Sequence, residues 1–431
     1  MNYITRERIH VDRIATAWAI RKFIDAEAAG TSRDAKILLL ARATRAFGDG
    51  FVSVLLPVYL LALGFDALAV GALSTATLIG SAALTLLVGF HANRFGRRHL
   101  LLAASLLMLA TGAAFAAVHT FWPLLLIAFV GTLNPSSGDV SVFLPLEQSL
   151  LPQTTEAKAR TALFARYGVA GTLAAAAGSL CAGVPALLSA RLALDVTSAI
   201  QMLFGVYALL GLVAFALYRR LSPAIEPQRV EQAPLRESRK TVFTLAALFS
   251  LDSFGGGLVV QSLLALWLFQ RYDLSLQAAG SLFFWTGVLA AGSFLLAVPL
   301  AERFGLIKTM VFTHLPSNVL LLLVPFMPSL PLAVACLLAR SALSQMDVPT
   351  RGSYVMAVVP PPERAAAASV TSVPRSLASA LGPLLAGLLL AVSPFGWPLV
   401  AAGVLKGIYD LLLLAMFVRV HPPEEEERGR R

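Results

Sequence analysis

Arg45 and Asp49 stand four residues apart inside an apolar run, which puts them on one face if the run is helical. Asp252 lies in a second apolar run with no charged residue at helical spacing. Asp347 and Arg351 repeat the four-residue spacing in a third run, and Lys406 and Asp410 in a fourth. Arg166, Arg340 and Arg375 are further charges in apolar surroundings. The chemistry open to such groups is ion pairing or proton exchange, since a carboxyl withdrawn from water holds a proton more readily. Arg45 with Asp49 reads as a permanent pair or as part of a proton path. Asp252 is the better proton carrier of the two carboxylates. Lys406 and Asp410 read as structural, and Arg375 as open to a substrate cavity.

Two of the apolar runs are interrupted. One contains Asn134-Pro135-Ser136-Ser137-Gly138-Asp139, followed by Pro145 and Glu147. The other contains Ser344-Gln345-Met346-Asp347-Val348-Pro349-Thr350-Arg351-Gly352. Proline removes a backbone donor and glycine loosens the helix. The freed backbone groups, with Asn134, Ser136, Ser137, Gln345 and Thr350, are candidates to contact a polar substrate. The competing reading, which the position of Asp139, Glu147, Asp347 and Arg351 favours, is a gate whose carboxylates meet arginines of the loops.

The elements that must carry these residues are set by composition. Hydrophobic residues make up 57% of the 431 and charged residues only 13%, about half of what a water-facing surface needs. The chain divides into twelve apolar stretches near the length that crosses a bilayer: 37–63, 67–90, 98–118, 122–149, 160–187, 196–218, 241–269, 276–300, 307–327, 330–357, 365–392 and 397–419. These are helices, because runs this long do not alternate as barrel strands do. Basic residues fill alternate connections, so residues 219–240 and both termini are expected in the cytoplasm, with the chain in the inner membrane and no leader before it. The net charge of +10 thus reports topology rather than nucleic-acid binding. Two cysteines and six histidines without ligand spacing give no metal or disulfide framework. No phosphate-binding glycine loop is present, so neither a cofactor nor ATP-driven pumping is expected.

The stretches fall into two sets of six on either side of 219–240. Phe47-Gly48-Asp49-Gly50 matches Phe254-Gly255-Gly256-Gly257, Asp66 matches Asp273, Arg94-Phe95-Gly96 matches Arg303-Phe304-Gly305, and Asp139-Val140 matches Asp347-Val348, all at nearly one offset. Constant offset points to internal duplication. The expected architecture is an all-α membrane protein of twelve transmembrane helices in two pseudo-symmetric six-helix bundles. Its divisions are an N-terminal segment 1–36, a first bundle 37–218, a central loop 219–240, a second bundle 241–420 and a tail 421–431.

The loop Gly89-Phe90-His91-Ala92-Asn93-Arg94-Phe95-Gly96-Arg97-Arg98 and its copy Glu302-Arg303-Phe304-Gly305 resemble the loop signature of the major facilitator superfamily. The resemblance covers about 37–420 and implies alternating access, with helices 1, 4, 7 and 10 lining a central cavity. Asn93 departs from the aspartate usual there, which weakens the latch expected of the first copy; Glu302 keeps the acid in the second. Residues 1–29, including Val11-Asp12-Arg13-Ile14-Ala15 and Ala17-Trp18, resemble the opening of a chromate-resistance protein domain. They also fit an amphipathic surface helix. The expected function is proton-coupled export of a small organic compound, an antiport in the sense of efflux, by a monomer in the lipid bilayer. The alternatives are export of an inorganic oxyanion or small organic anion, and a membrane transceptor or sensor.

Overall fold

The computed structural model describes residues 32–136, 141–155, 160–226, 235–360 and 363–418. Sixteen α-helices follow one another among them. The first half holds α1 (Arg33–Ala62), α2 (Ala67–Phe95), α3 (Arg97–Ala117), α4 (Phe121–Val130), α5 (Phe143–Leu150), α6 (Arg160–Leu180), α7 (Val184–Leu192) and α8 (Val196–Arg219). The second half holds α9 (Arg239–Gly257), α10 (Gln261–Tyr272), α11 (Leu276–Phe304), α12 (Leu306–Leu323), α13 (Leu330–Leu343), α14 (Asp347–Val358), α15 (Arg364–Val392) and α16 (Trp397–Phe417). Among the described residues ten stretches are long and apolar enough to cross a membrane. The fourth and tenth expected spans are each a pair of shorter helices, α4 with α5 and α13 with α14, which brings the order into line with twelve crossings.

The exterior is apolar and the interior holds charge, the reverse of a soluble fold. Val392, Trp122 and Leu126 are exposed, whereas Arg45, Glu147, Asp252 and Asp410 are buried. Helix starts are set by short polar side chains: Ser32 accepts from the Ala35 N–H, Asp195 from Ser198 and Ser275 from Ala278. Gly96 and Gly305, the matched glycines of the two loops, both take left-handed φ, +76° and +87°, where any other residue would be strained. The Asp66 and Asp273 match is looser. Asp66 accepts from the Ala69 N–H at the start of α2, but Asp273 is itself left-handed and Ser275 caps α11.

The glycine repeat has a packing cause. A methyl on Gly50 would lie 2.0 Å from the Ala175 carbonyl oxygen of α6, and one on Gly257 would lie 2.2 Å from that of Ser379 on α15. In each half, then, the first helix touches the fifth backbone to backbone. The halves meet through α2 against α15, α6 against α11 and α1 against α10. Their closest contacts lie away from the basic loops. Gly71 abuts Pro383 and Gly387, Ser74 and Ser262 hydroxyls stand 3.3 Å apart, and the Leu384 N–H donates to Thr75 Oγ1 at 2.9 Å.

Candidate functional site

The break in the fourth span is built from its own sequence. Asn134 Oδ1 accepts from the Ser136 N–H at 3.0 Å and from its hydroxyl at 2.7 Å, which closes a turn in place of a helix. The released backbone groups find partners elsewhere: Thr132 N–H with Thr111 Oγ1, Thr132 carbonyl with the Tyr207 hydroxyl, and Pro135 carbonyl with the Ser262 N–H of α10. Irregular backbone at membrane depth is tolerated only when satisfied in this way. Ser137 and Asp139 lie outside the described residues, as do residues 1–31 and the tail from 419.

One charge cluster sits in the first half. Arg45 of α1 pairs with Glu147 of α5. The Glu147 carboxylate also accepts from the Tyr167 hydroxyl and, at 2.5 Å, from the Tyr218 hydroxyl, while Arg45 Nε donates to Tyr218 at 3.0 Å. The guanidinium lies over the Phe143 ring, 4.1 Å from its centroid. Arg45 therefore reaches a partner 102 residues away, and Asp49, expected as its mate, takes a hydrogen bond from the Asn134 side chain. Arg42, one turn before, lies 5.5 Å from the Tyr167 centroid, in space left by Gly171.

The second cluster is larger. Asp252 of α9 receives Arg351 of α14 at 2.8 Å and Lys406 of α16 at 2.7 Å. Arg351 also pairs with Asp347, four residues before it, and stands over the Phe249 and Tyr409 rings. His314 of α12 places Nδ1 2.9 Å from Asp410 Oδ1 and Nε2 3.8 Å from Asp252 Oδ1. Asn318 donates to Asp410 Oδ2 at 2.8 Å. Asp252, isolated in sequence, is thus clamped between two cations. Lys406, expected to pair with Asp410, crosses instead to α9 along Gly255, where a methyl would meet its Cγ at 3.0 Å.

The other expected residues are more scattered. Thr350 spends its hydroxyl on the Met346 carbonyl of its own helix, and the Gln345 N–H donates to Ser293. Arg375 is half-buried on α15. Arg94 and Arg303 lie over the neighbouring Phe95 and Phe304 rings. Gly89 and Asn93 fall in α2, and Glu302 in α11. Arg97 and Arg98 engage the central segment: Glu226 accepts from the Arg98 N–H at 2.9 Å and lies 3.8 Å from Arg97, and Arg98 donates to the Arg219 carbonyl at 2.7 Å. At the far end of that segment Glu363 accepts from the N–H groups of Arg236, Glu237 and Ser238 and from the Ser238 hydroxyl. The Ser238 hydroxyl and these amides hold its carboxyl down to about 2. His314, Asn318, Tyr167, Tyr218 and Glu363 were not singled out by sequence. A histidine and an asparagine four apart in an apolar span were the available signal for the first two.

A family model described as Major Facilitator Superfamily matches residues 38–315 and 245–431, and one described as ChrB, C-terminal domain, matches 3–35. The chain is 24% identical over 435 residues to the uncharacterized membrane protein YJR124C of Saccharomyces cerevisiae, covering 93% of this chain and 97% of that one. Among solved structures it is similar to a bacterial homolog of the human lysosomal transporter Spinster in an inward-facing and occupied conformation, with TM-score 0.70, 16% identity and coverage of 89% and 97%. The nucleoside transporter NupG gives 0.67, 15%, 89% and 99%. The human organic anion transporter MFSD10 (TETRAN) gives 0.61, 18%, 88% and 99%. At these identities the likeness concerns the fold.

Proposed function

The chain belongs to the Major Facilitator Superfamily, and from that membership we propose that it exports a small organic compound in exchange for protons by alternating access. It is a membrane transporter rather than an enzyme, and its substrates are small molecules. The observation that carries the proposal is the pairing of an ionic cluster in each half with a seam that joins the halves at one end. Buried charges in a membrane protein are costly, and each cluster here is completed by helices of its own half. A seam closed away from the basic loops is the inward-open arrangement, given cytoplasmic loops 94–98, 219–240 and 303–308. Everted inner-membrane vesicles, acidified inside by respiration, test it. A compound that dissipates the gradient with the protein and not without it establishes substrate, proton exchange and direction together. If no compound among drugs, sugars, amino acids and oxyanions does so, proton-coupled export is wrong.

An anionic substrate is the second reading. Arg340, Arg351, Arg375 and Lys406 stand against Asp252, Asp347 and Asp410 in the second half, leaving one cation in excess. Arg351→Lys separates the two, because lysine lacks the planar fork that holds an oxyanion. Binding of anions, and not of neutral compounds, then weakens.

A further inference from the structure

We propose that His314, seated between Asp410 and Asp252, is the group that takes up the exchanged proton. This rests on the proton-linked reading above and names its site. His314 is buried on α12, on a helix outside the expected cavity-lining set. Its Nδ1 lies 2.9 Å from Asp410 Oδ1 and 3.0 Å from Asn318 Nδ2; the carboxylate, which only accepts, favours the tautomer with the proton on Nδ1. Asn318 holds the other Asp410 oxygen, so that carboxylate is kept in place. With the proton on Nδ1, the neutral ring turns a lone pair at Nε2 toward Asp252 Oδ1, 3.8 Å away. A second proton reverses the sign of that edge. The imidazolium then faces a carboxylate on each side.

The added proton also competes with an existing pair. Lys406 Nζ binds the same Asp252 Oδ1 that Nε2 faces, while Arg351 binds Oδ2. Protonation of His314 therefore loosens Lys406 from α9 and leaves Arg351 in place. That change acts between α9, α12 and α16, three helices of one bundle. The same contacts make Asp252 the poorer acceptor, since both of its oxygens already hold a cation. The helices packed on α12 add Tyr409, whose ring centre is 6.0 Å from that of His314, and carry Arg340 and Asp347 on the two helices of the tenth span. α11, also packed on α12, carries ionisable residues only at its loop end, Glu302 and Arg303. Lys308 lies at the same end of α12 itself.

A chain in which the other five of the six histidines are glutamine, labelled with 15N at histidine and held in nanodiscs, reports on His314 alone by NMR. The ring nitrogens are expected to pass from the neutral to the doubly protonated pattern as the sample is acidified. Asp410→Asn is expected to lose the doubly protonated pattern at a pH where its parent shows it. A ring that stays neutral, or stays doubly protonated, at every pH at which the protein remains folded overturns the proposal. The coupling reading is tested apart from it, by proton movement with any compound found in the vesicle screen. Titration of His314 without proton movement in the wild type supports the site and removes the coupling. Undiminished proton movement in His314→Gln overturns the site and keeps the coupling.

Discussion

In the first half the buried cation is on the first helix and its carboxylate on the fourth span; in the second half Asp252 holds the first place and Arg351 the other. The two clusters occupy corresponding spans with inverted sign. They differ more in what completes them. Glu147 is finished by one guanidinium and two phenols, none of which changes charge easily at neutral pH. Asp252 is finished by two cations, one of them shared with Asp347, and lies beside an imidazole. The pseudo-symmetric scaffold thus holds a buried pair between the same two spans of each half, completed by hydroxyls in the first and by a second cation in the other.

The largest effect that would test this contrast is on the pair of Arg45 with Glu147. Glu147→Gln leaves Arg45 buried without a counter-charge, so stability in detergent should fall by about 3–5 kcal/mol, measured as loss of the folded, monodisperse fraction on heating. Asp252→Asn should cost less, about 1–3 kcal/mol, because Arg351 keeps Asp347 and Lys406, the other cation released, has Asp410 four residues away on its own helix. Its signature is functional: uphill transport is lost and substrate exchange persists. Equal destabilisation by the two substitutions would break the contrast. Gly50→Ala and Gly257→Ala probe what the halves share, since each forces a methyl onto a facing carbonyl. Both should lose a similar amount, about 1–3 kcal/mol, in the same thermal assay.

The smallest effect is at the membrane surface of the second half. The Glu363 carboxyl is lowered from an ordinary 4.5 to about 2 by the hydroxyl and amides it binds. Its contribution is complete above pH 4.5 and is lost as the pH falls from there toward 2. Wild type and Glu363→Gln should therefore differ by a constant margin above that window and converge within it. Amide exchange at residues 236–238 reads this locally.

Helices were legible because length and hydropathy are local properties. The breaks of the fourth and tenth spans were legible from Asn134-Pro135 and from the residues around Asp347, since turn chemistry is also local. Arg351 with Asp347 follows from a four-residue spacing. Partner choice across the fold does not. Arg45 had Asp49 within one turn, yet Glu147 offers it a dry pocket already furnished with two hydroxyls. Lys406 had Asp410 at the same spacing, but Gly255 clears a path to Asp252 and His314 takes Asp410. Helical spacing says which groups can meet; the desolvation they share with distant residues decides which do.

The central segment is fastened at both ends, by Glu226 to the start of α3 and by residues 236–238 to Glu363. Ten peptide units separate Glu226 from Arg236. At about 3.3–3.6 Å each they span at most about 33–36 Å. That contour length is a mechanical stop: however the halves swing, their basic ends cannot part further than the chain between the two anchors can stretch. Insertions there would lengthen the travel, and deletions would shorten it before any residue of the buried clusters was touched.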